Sequence, residues 1–413
     1  MGEQNKQVQL KNFNRRSVLG YIRKNGAATK AGLSAATGLT FMAIKKILEE
    51  LEELGLIRCD AMEKTNVGRH ALTYVINEDY RYTIGVHINK FATRVALLDL
   101  RGHILRVERC GMEQAFQNQS DFVETILTAI DKVIAEANVR KEDILGIGVG
   151  APGPIDMENG VILTPPNMPF LNYLPLREVM EERIGCKVYL YKDTNAIAFG
   201  EYWDGEGKQA SDLIYIDVDM GIGSGLIIDG KIKVGANSIA GEFGHITIDV
   251  NGPLCNCGNR GCLEAMSSGI AVLKTLSGQL EKEETHPLYP KRKELVIEDV
   301  FKMVEKNDLL TISILNQSAH YMGIAISNLI NILDPQMIIL GGILIQNYPR
   351  YFQIAKTVAN SKKVKGAREN VMCVSVLGET AGVIGAGEIV ADDFFNRTVN
   401  EVFPKNSGTQ EQI

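Results

Sequence analysis

Four side chains in one short stretch are spaced to hold a metal ion. Cys255, Cys257 and Cys262 fall close together, and His245 stands ten residues before the first of them. Three thiolates and one imidazole fill the tetrahedral shell of a structural zinc site, with no open position for water or substrate. Gly258 and Gly261 let the backbone curl tightly enough to bring three sulfurs to one ion. The spacing predicts one structural Zn2+ per chain, held by His245, Cys255, Cys257 and Cys262. The seven cysteines are an odd number and do not read as a disulfide framework. Cys59, Cys110, Cys186 and Cys373 are left as buried or incidental thiols.

Charge marks a second chemistry. The formal net charge of the 413 residues is −6, which disfavours a nucleic-acid binder at first sight. The first 48 residues, however, hold nine Lys or Arg against one acid, Glu3, a local charge of +8 that leaves −14 for the rest. A basic head on an acidic body suggests two jobs. Within the head, helical spacing runs from Arg15 to Lys24. Thr29 and Thr40 are placed to cap two further helices, ended by Gly38 and Gly55. Two strands follow, at Leu56-Ile57 and Leu72 to Ile76, across a polar loop holding Arg69. This is the pattern of a winged helix-turn-helix over residues 1–78. Such a motif turns the start of its second helix toward base edges. Thr40, Met42, Ala43, Lys45 and Lys46 occupy that end, and Arg15, Arg16 and Arg69 are expected at phosphates, where they add affinity without sequence information.

The body repeats itself. Ile84 to Asn89 followed by Val95 to Asp99 matches Ile214 to Asp219 followed by Gly225 to Asp229, 130 residues on. A buried strand follows in each half, at Ile144 to Val149 and at Met337 to Leu340. Continuous apolar strands suit central positions covered by helices on both faces. Two related α/β lobes over residues 82–400 are predicted, with a ligand cleft between them. A charged surface connection is expected from Gly278 to Glu294, and a disordered tail over 401–413. The longest apolar run, Met337 to Ile345, is far too short to cross a bilayer, and no signal peptide precedes the head. The reading is of a cytoplasmic protein without membrane insertion.

Gly221-Ile222-Gly223-Ser224-Gly225-Leu226, then Gly241-Glu242-Phe243-Gly244-His245, then the cysteine stretch ending at Glu264, resemble the ROK family of sugar-responsive repressors and bacterial sugar kinases. The similarity runs from about Tyr82 to Asp392. It implies a two-lobed, actin-like (ribonuclease-H-like) ATPase-type fold behind the winged helix-turn-helix. It also implies sugar contacts at Asn167, Asp193, Glu242, His245 and Glu264, with His245 shared between zinc and sugar. Carboxylates suit this task, because charge-assisted hydrogen bonds to hydroxyls are strong.

The family's kinases use the equivalent of Asp193 as base, and a turn of the type Asp-x-Gly-Gly-Thr beside the phosphates. Asp193 is retained, but the turn reads His87-Ile88-Asn89-Lys90-Phe91, and Asp219-Met220 replaces the usual Gly-Thr. Phosphoryl transfer depends on such positioning, so no enzyme activity is expected and Asp193 is a vestigial base. Lys192 stands where the family often has an asparagine that touches the sugar. Either the ligand carries an acidic group or Lys192 points away. The expected function is a sugar-responsive regulator, a repressor of carbohydrate genes, whose partners are operator DNA, an effector sugar and a second copy or more (homodimer or homotetramer). The alternatives are a sugar kinase with an appended DNA-binding domain, and a regulator controlled by a protein partner.

Overall fold

The N-terminal segment folds as its capping residues dictate. In the computed structural model, residues 3–63, 71–111, 116, 118–166, 168–366 and 370–401 are described. Arg69, Asn167 and the tail after residue 401 therefore lie outside the described residues. Helix α1 (Glu3–Asn25) is followed by a two-residue strand β1 (Ala28–Thr29), α2 (Lys30–Thr37) and α3 (Phe41–Glu53). Thr29 caps α2 by accepting from the Gly32 amide, and Thr40 caps α3 by accepting from Ala43. Gly38 leaves α2 in the left-handed region. The apolar face of α3 is buried through Ile44, Ile47, Leu48 and Leu51. Strands β2 (Ile57–Glu63) and β3 (Ala71–Ile76) form the wing. Two details depart from the sequence reading. Helix α1 begins twelve residues before Arg15, and β1 joins β3 so that the wing sheet has three strands.

The chain divides into two compact units, Met1–Tyr191 with Ala386–Ile413, and Lys192–Gly385. In the first, β4 (Tyr82–Ile88), β5 (Ala92–Asp99), β6 (Ile104–Gly111), β7 (Ile144–Ala151) and β10 (Val188–Lys192) make one sheet in the order β6-β5-β4-β7-β10. The short strands β8 (Ile155–Asp156) and β9 (Val161–Ile162) form a separate hairpin. Helix α4 (Gln119–Glu136) covers the sheet with Phe122, Ile126, Ile130 and Val133, and α5 (Leu176–Ile184) adds Leu176 and Met180.

The second unit repeats this plan after α6 (Asp193–Trp203). Strands β11 (Leu213–Val218), β12 (Ile222–Ile228), β13 (Lys231–Ile232), β14 (Met337–Gly341) and β15 (Val371–Val374) are ordered β13-β12-β11-β14-β15. In each sheet the first strand pairs antiparallel with the second and parallel with the fourth. The hydrophobic repeat 130 residues apart is thus a repeat of topology. Helices α7 (Leu263–Ser267), α8 (Gly269–Leu280), α9 (Ile297–Glu305), α10 (Leu309–Leu333), α11 (Ile343–Asn347) and α12 (Pro349–Lys362) complete the unit, with α10 and α12 packed on each other.

The last helix, α13 (Ala381–Glu401), has one end in each unit. In the second unit, added methyl groups at Gly385 and Gly200 would run into the carbonyl oxygens of Ala196 and Ala381, so α13 and α6 touch backbone to backbone. In the first, Ala391, Phe395 and Val399 of α13 join Val18, Leu19, Ile22, Leu48 and Leu51 in one core with the winged head. Arg23 of α1 locks this contact. Its side chain is 5% exposed, bonds Glu388 at 2.7 Å and Asp392 at 3.3 Å, and stacks 4.5 Å from the Phe395 ring. Breaking a buried pair by removing one partner is far costlier than replacing both. Arg23→Ala is expected to cost about 3 kcal/mol in urea unfolding, whereas Arg23→Met combined with Glu388→Leu loses much less; equal losses would refute this account of the pair.

Candidate functional site

The thiol and imidazole ligands predicted from spacing do converge. The ligand atoms of His245, Cys255, Cys257 and Cys262 all lie within 4.8 Å of one another. Cys257 Sγ and Cys262 Sγ are 3.7 Å apart, and so are Cys255 Sγ and His245 Nδ1. A tetrahedron with metal–sulfur arms of about 2.3 Å has edges of about 3.8 Å, so the cluster fits a four-coordinate ion. The knuckle is closed by Cys255 N–H bonding Asn259 O and Gly258 N–H bonding Cys255 O. Gly261 has φ of +67°, and a side chain there would collide with the Asp249 carbonyl, so both conformation and space demand glycine. Among the described residues, this is the one group arranged to hold a metal ion. Of the two expectations for the other four cysteines, the incidental one fits: all are free thiols, Cys59 exposed and Cys110, Cys186 and Cys373 half-buried.

His245 ends a short 3-10 turn whose first flanking residue is Glu242. Its Nδ1 faces the thiols while its Nε2 lies 3.8 Å from Glu242 Oε2. The ring therefore faces the thiols with one nitrogen and Glu242 with the other. Glu242 is also held by Lys192, whose Nζ bonds its Oε1 at 2.6 Å. Of the two readings of Lys192, the structure has it engaged with Glu242. Asp193, the first residue of α6, accepts from the Thr194 amide at 2.7 Å. Burial pushes its carboxyl up to about 6, against the opposing pull of Lys192, with Glu242 and Asp219 adding to the rise. Glu264 sits in the first turn of α7 and accepts from Ile222 N–H at 3.1 Å, which ties it to the start of β12.

A further acid escaped the sequence reading. Asp217 lies in the apolar strand β11, accepts from the Tyr215 hydroxyl at 3.0 Å, and is raised to about 8 by burial and by Asp219 and Asp193. The signal was present: one acid interrupts Ile214-Tyr215-Ile216 and Val218. The glycine motif beside it has a packing cause. Side chains at Gly223 and Gly225 would strike Thr194 and Ala198, so α6 can lie directly on β12.

In both turns that correspond to phosphate loops, side-chain carbonyl or carboxylate oxygens take up two of the backbone amides. Between β4 and β5, Asn89 Oδ1 accepts from Phe91 N–H and Ala92 N–H, each at 2.9 Å. Between β11 and β12, Met220 N–H bonds Asp219 Oδ1 at 2.6 Å, and Ile222 N–H is taken by Glu264. His87 is buried, its Nδ1 has no hydrogen-bond partner, and burial with nearby Arg94 lowers it to about 4. It is therefore neutral at physiological pH and offers no cation.

In the head, α3 turns Lys45, Lys46 and Met42 to solvent, with Thr40 at its cap and Ala43 half-buried behind them. Arg16 is exposed. Arg15 departs from the expected phosphate contact: it is 12% exposed and bonds Glu50 at 2.9 Å, joining α1 to α3. Among the described residues no helix is long and apolar enough to cross a membrane.

The raised carboxyls give a pH signature. Asp193 and Asp217 hold protons in the native state that they release on unfolding, so stability falls as pH rises from about 4 to about 8. Asp217→Asn keeps an acceptor for Tyr215 and is expected to raise the melting temperature at about pH 8.5 more than at about pH 5. Equal shifts at the two pH values would exclude a protonated Asp217.

Comparison with known proteins accords with this anatomy. Residues 83–393 match the ROK family, and residues 14–58 match a winged helix-turn-helix DNA-binding family. The xylose repressor of Caldicellulosiruptor bescii is 29% identical over 390 residues, covering 94% of this chain and 97% of that protein. A glucokinase of Halalkalibacterium halodurans is 34% identical over 322 residues, covering 75% of this chain and 95% of that protein. Among solved structures, a ROK family transcriptional regulator described as a homologue of the E. coli MLC protein superposes with a TM-score of 0.77 at 24% identity, covering 94% of this chain and 98% of that one. The two sheets of like order are thus the halves of the actin-like, ribonuclease-H-like fold. Matched along more than half its length, the chain belongs to the ROK family and carries an N-terminal winged helix-turn-helix.

Proposed function

We propose that this chain is a transcriptional repressor of carbohydrate uptake or metabolism genes whose hold on operator DNA changes when a sugar binds its ROK body. One observation carries the choice of regulator over kinase: two amides in each phosphate-type turn, those of Phe91 and Ala92 and of Met220 and Ile222, are already bonded to Asn89, Asp219 and Glu264. A polyphosphate would have to displace these acceptors and face the added charge of Asp219. Positioning and charge neutralisation are what phosphoryl transfer requires. The retained Asp193 serves here as a sugar ligand. The similarity to a repressor over 94% of the chain, head included, supports the same reading.

The effector is a sugar bound by Asp193, Glu242, His245 and Glu264, with Asn167 added on the family pattern. These groups accept hydrogen bonds from hydroxyls. A structural Zn2+ at His245, Cys255, Cys257 and Cys262 holds the shared imidazole in place from behind. Operator contacts fall on Thr40, Met42, Ala43, Lys45, Lys46, Arg16 and Arg69, while Arg15 supports α3 through Glu50. Two-fold operators need two heads at fixed spacing, so the working form is a homodimer or homotetramer in the cytoplasm. The sugar acts as a switch only through different affinity for the two states of the protein.

Metal analysis of dialysed protein is expected to give about one zinc per chain; protein free of transition metal would remove the supporting shell. The functional test is a gel shift on DNA upstream of the protein's own operon, repeated with a panel of neutral sugars, sugar phosphates and sugar acids. Specific binding that one sugar alters is expected. Binding that no member alters would end the ligand switch and leave the repressor. The glucokinase similarity makes a kinase the competing reading. Turnover of the same panel above about 1 per second in an ATP-coupled assay would establish it.

A further inference from the structure

The first turn of α3 presents two large apolar side chains to solvent, one turn before two exposed lysines. Phe41 is 58% exposed and Met42 is 75% exposed. The rotation of the helix is not free to hide them. Ile44, Ile47, Leu48 and Leu51 are all buried in the head core, and Thr40 fixes the first turn by capping Ala43. Lys45 and Lys46, both exposed, follow on the next turn. Large apolar side chains left out of a well-formed core, next to exposed cations, mark a surface made for a partner.

The groups available for reading bases are unusual. Within Phe41–Glu53 there is no Arg, Asn or Gln, the residues that make bidentate hydrogen bonds to guanine or adenine. Hydrogen bonding from the first two turns rests on Thr40 and the two lysines, and Lys45 also lies 3.6 Å from Glu49. Phe41 and Met42 can make only apolar contact. In the major groove, the one apolar feature that differs between base pairs is the 5-methyl group of thymine.

We propose that Phe41 and Met42 read operator sequence by packing on thymine methyl groups in the major groove, with Lys45 and Lys46 holding the neighbouring backbone or guanine. This rests on the reading of the head as an operator-binding domain. The occupant of the apolar surface is therefore DNA, and the face continues the winged helix-turn-helix matched over residues 14–58.

The test uses the full-length protein and a duplex that it selects from a randomised pool. The duplex is remade with deoxyuridine for thymidine at each selected position in turn. That change keeps the hydrogen-bonding groups and phosphates and removes only the methyl. Affinity is expected to fall about fourfold for each methyl that is buried, with an unchanged slope of affinity against salt. The double variant Phe41→Ala with Met42→Ala, changed at exposed positions and expected to keep its melting temperature, should bind the duplexes with and without the methyls equally. Wild-type protein that binds the selected duplex with and without the methyls equally well overturns the proposal while sparing the head's role. A penalty that persists in the double variant overturns it too, by assigning the methyl effect to other residues or to DNA shape. Failure to select any duplex refutes the operator reading itself, and this proposal with it.

Discussion

Arg23 is a charge that the head cannot bury without help. Its guanidinium is nearly sealed from solvent, so the fold must supply acids and an aromatic face, and these come from the far end of the sequence at Glu388, Asp392 and Phe395. An unpaired buried charge would cost more than a small three-helix head of this kind could absorb. The consequence is structural dependence. The winged head shares its core with α13, and its position on the first unit follows from satisfying one cation.

The candidate sugar site shows the same economy of contacts. Asp193 opens α6, and α6 lies close on β12 because Gly223 and Gly225 present no side chains. Glu264 opens α7 and is tied to β12 through Ile222. Glu242 is held between Lys192 and His245, and His245 belongs to the metal cluster. Each acid is thus set by an element start or a neighbouring side chain. The motif glycines let the helix approach, and the bond that places Glu264 takes up one amide of the turn between β11 and β12.

Much of this was legible in the sequence, for identifiable reasons. The metal ligands were readable because they are close along the chain and their types have few other uses together. Thr29, Thr40 and Gly38 marked helix ends because capping is local chemistry. The duplicated lobes were readable because strand patterns recur with apolar continuity. What stayed hidden was tertiary. The extension of α1 before Arg15 has no apolar stripe to announce it, and Leu10 and Phe13 there are exposed. The pairing of Lys192 with Glu242 spans fifty residues, and that of Arg15 with Glu50 thirty-five. Asp217 was hidden within a strand whose neighbours are all buried, where only the carboxyl itself hinted at a proton held near neutrality.

Helix α13 also sets an order of events during synthesis. The head leaves the ribosome first, but Ala391, Phe395 and Val399 of its core are among the last residues made. Until they arrive, the apolar wall under α1 and α3 is open and Arg23 lacks Glu388 and Asp392. Domains that emerge early usually fold early. Here the reading head reaches its final packing only when the chain is almost finished, so a prematurely ended protein is handicapped in DNA binding as well as in its body.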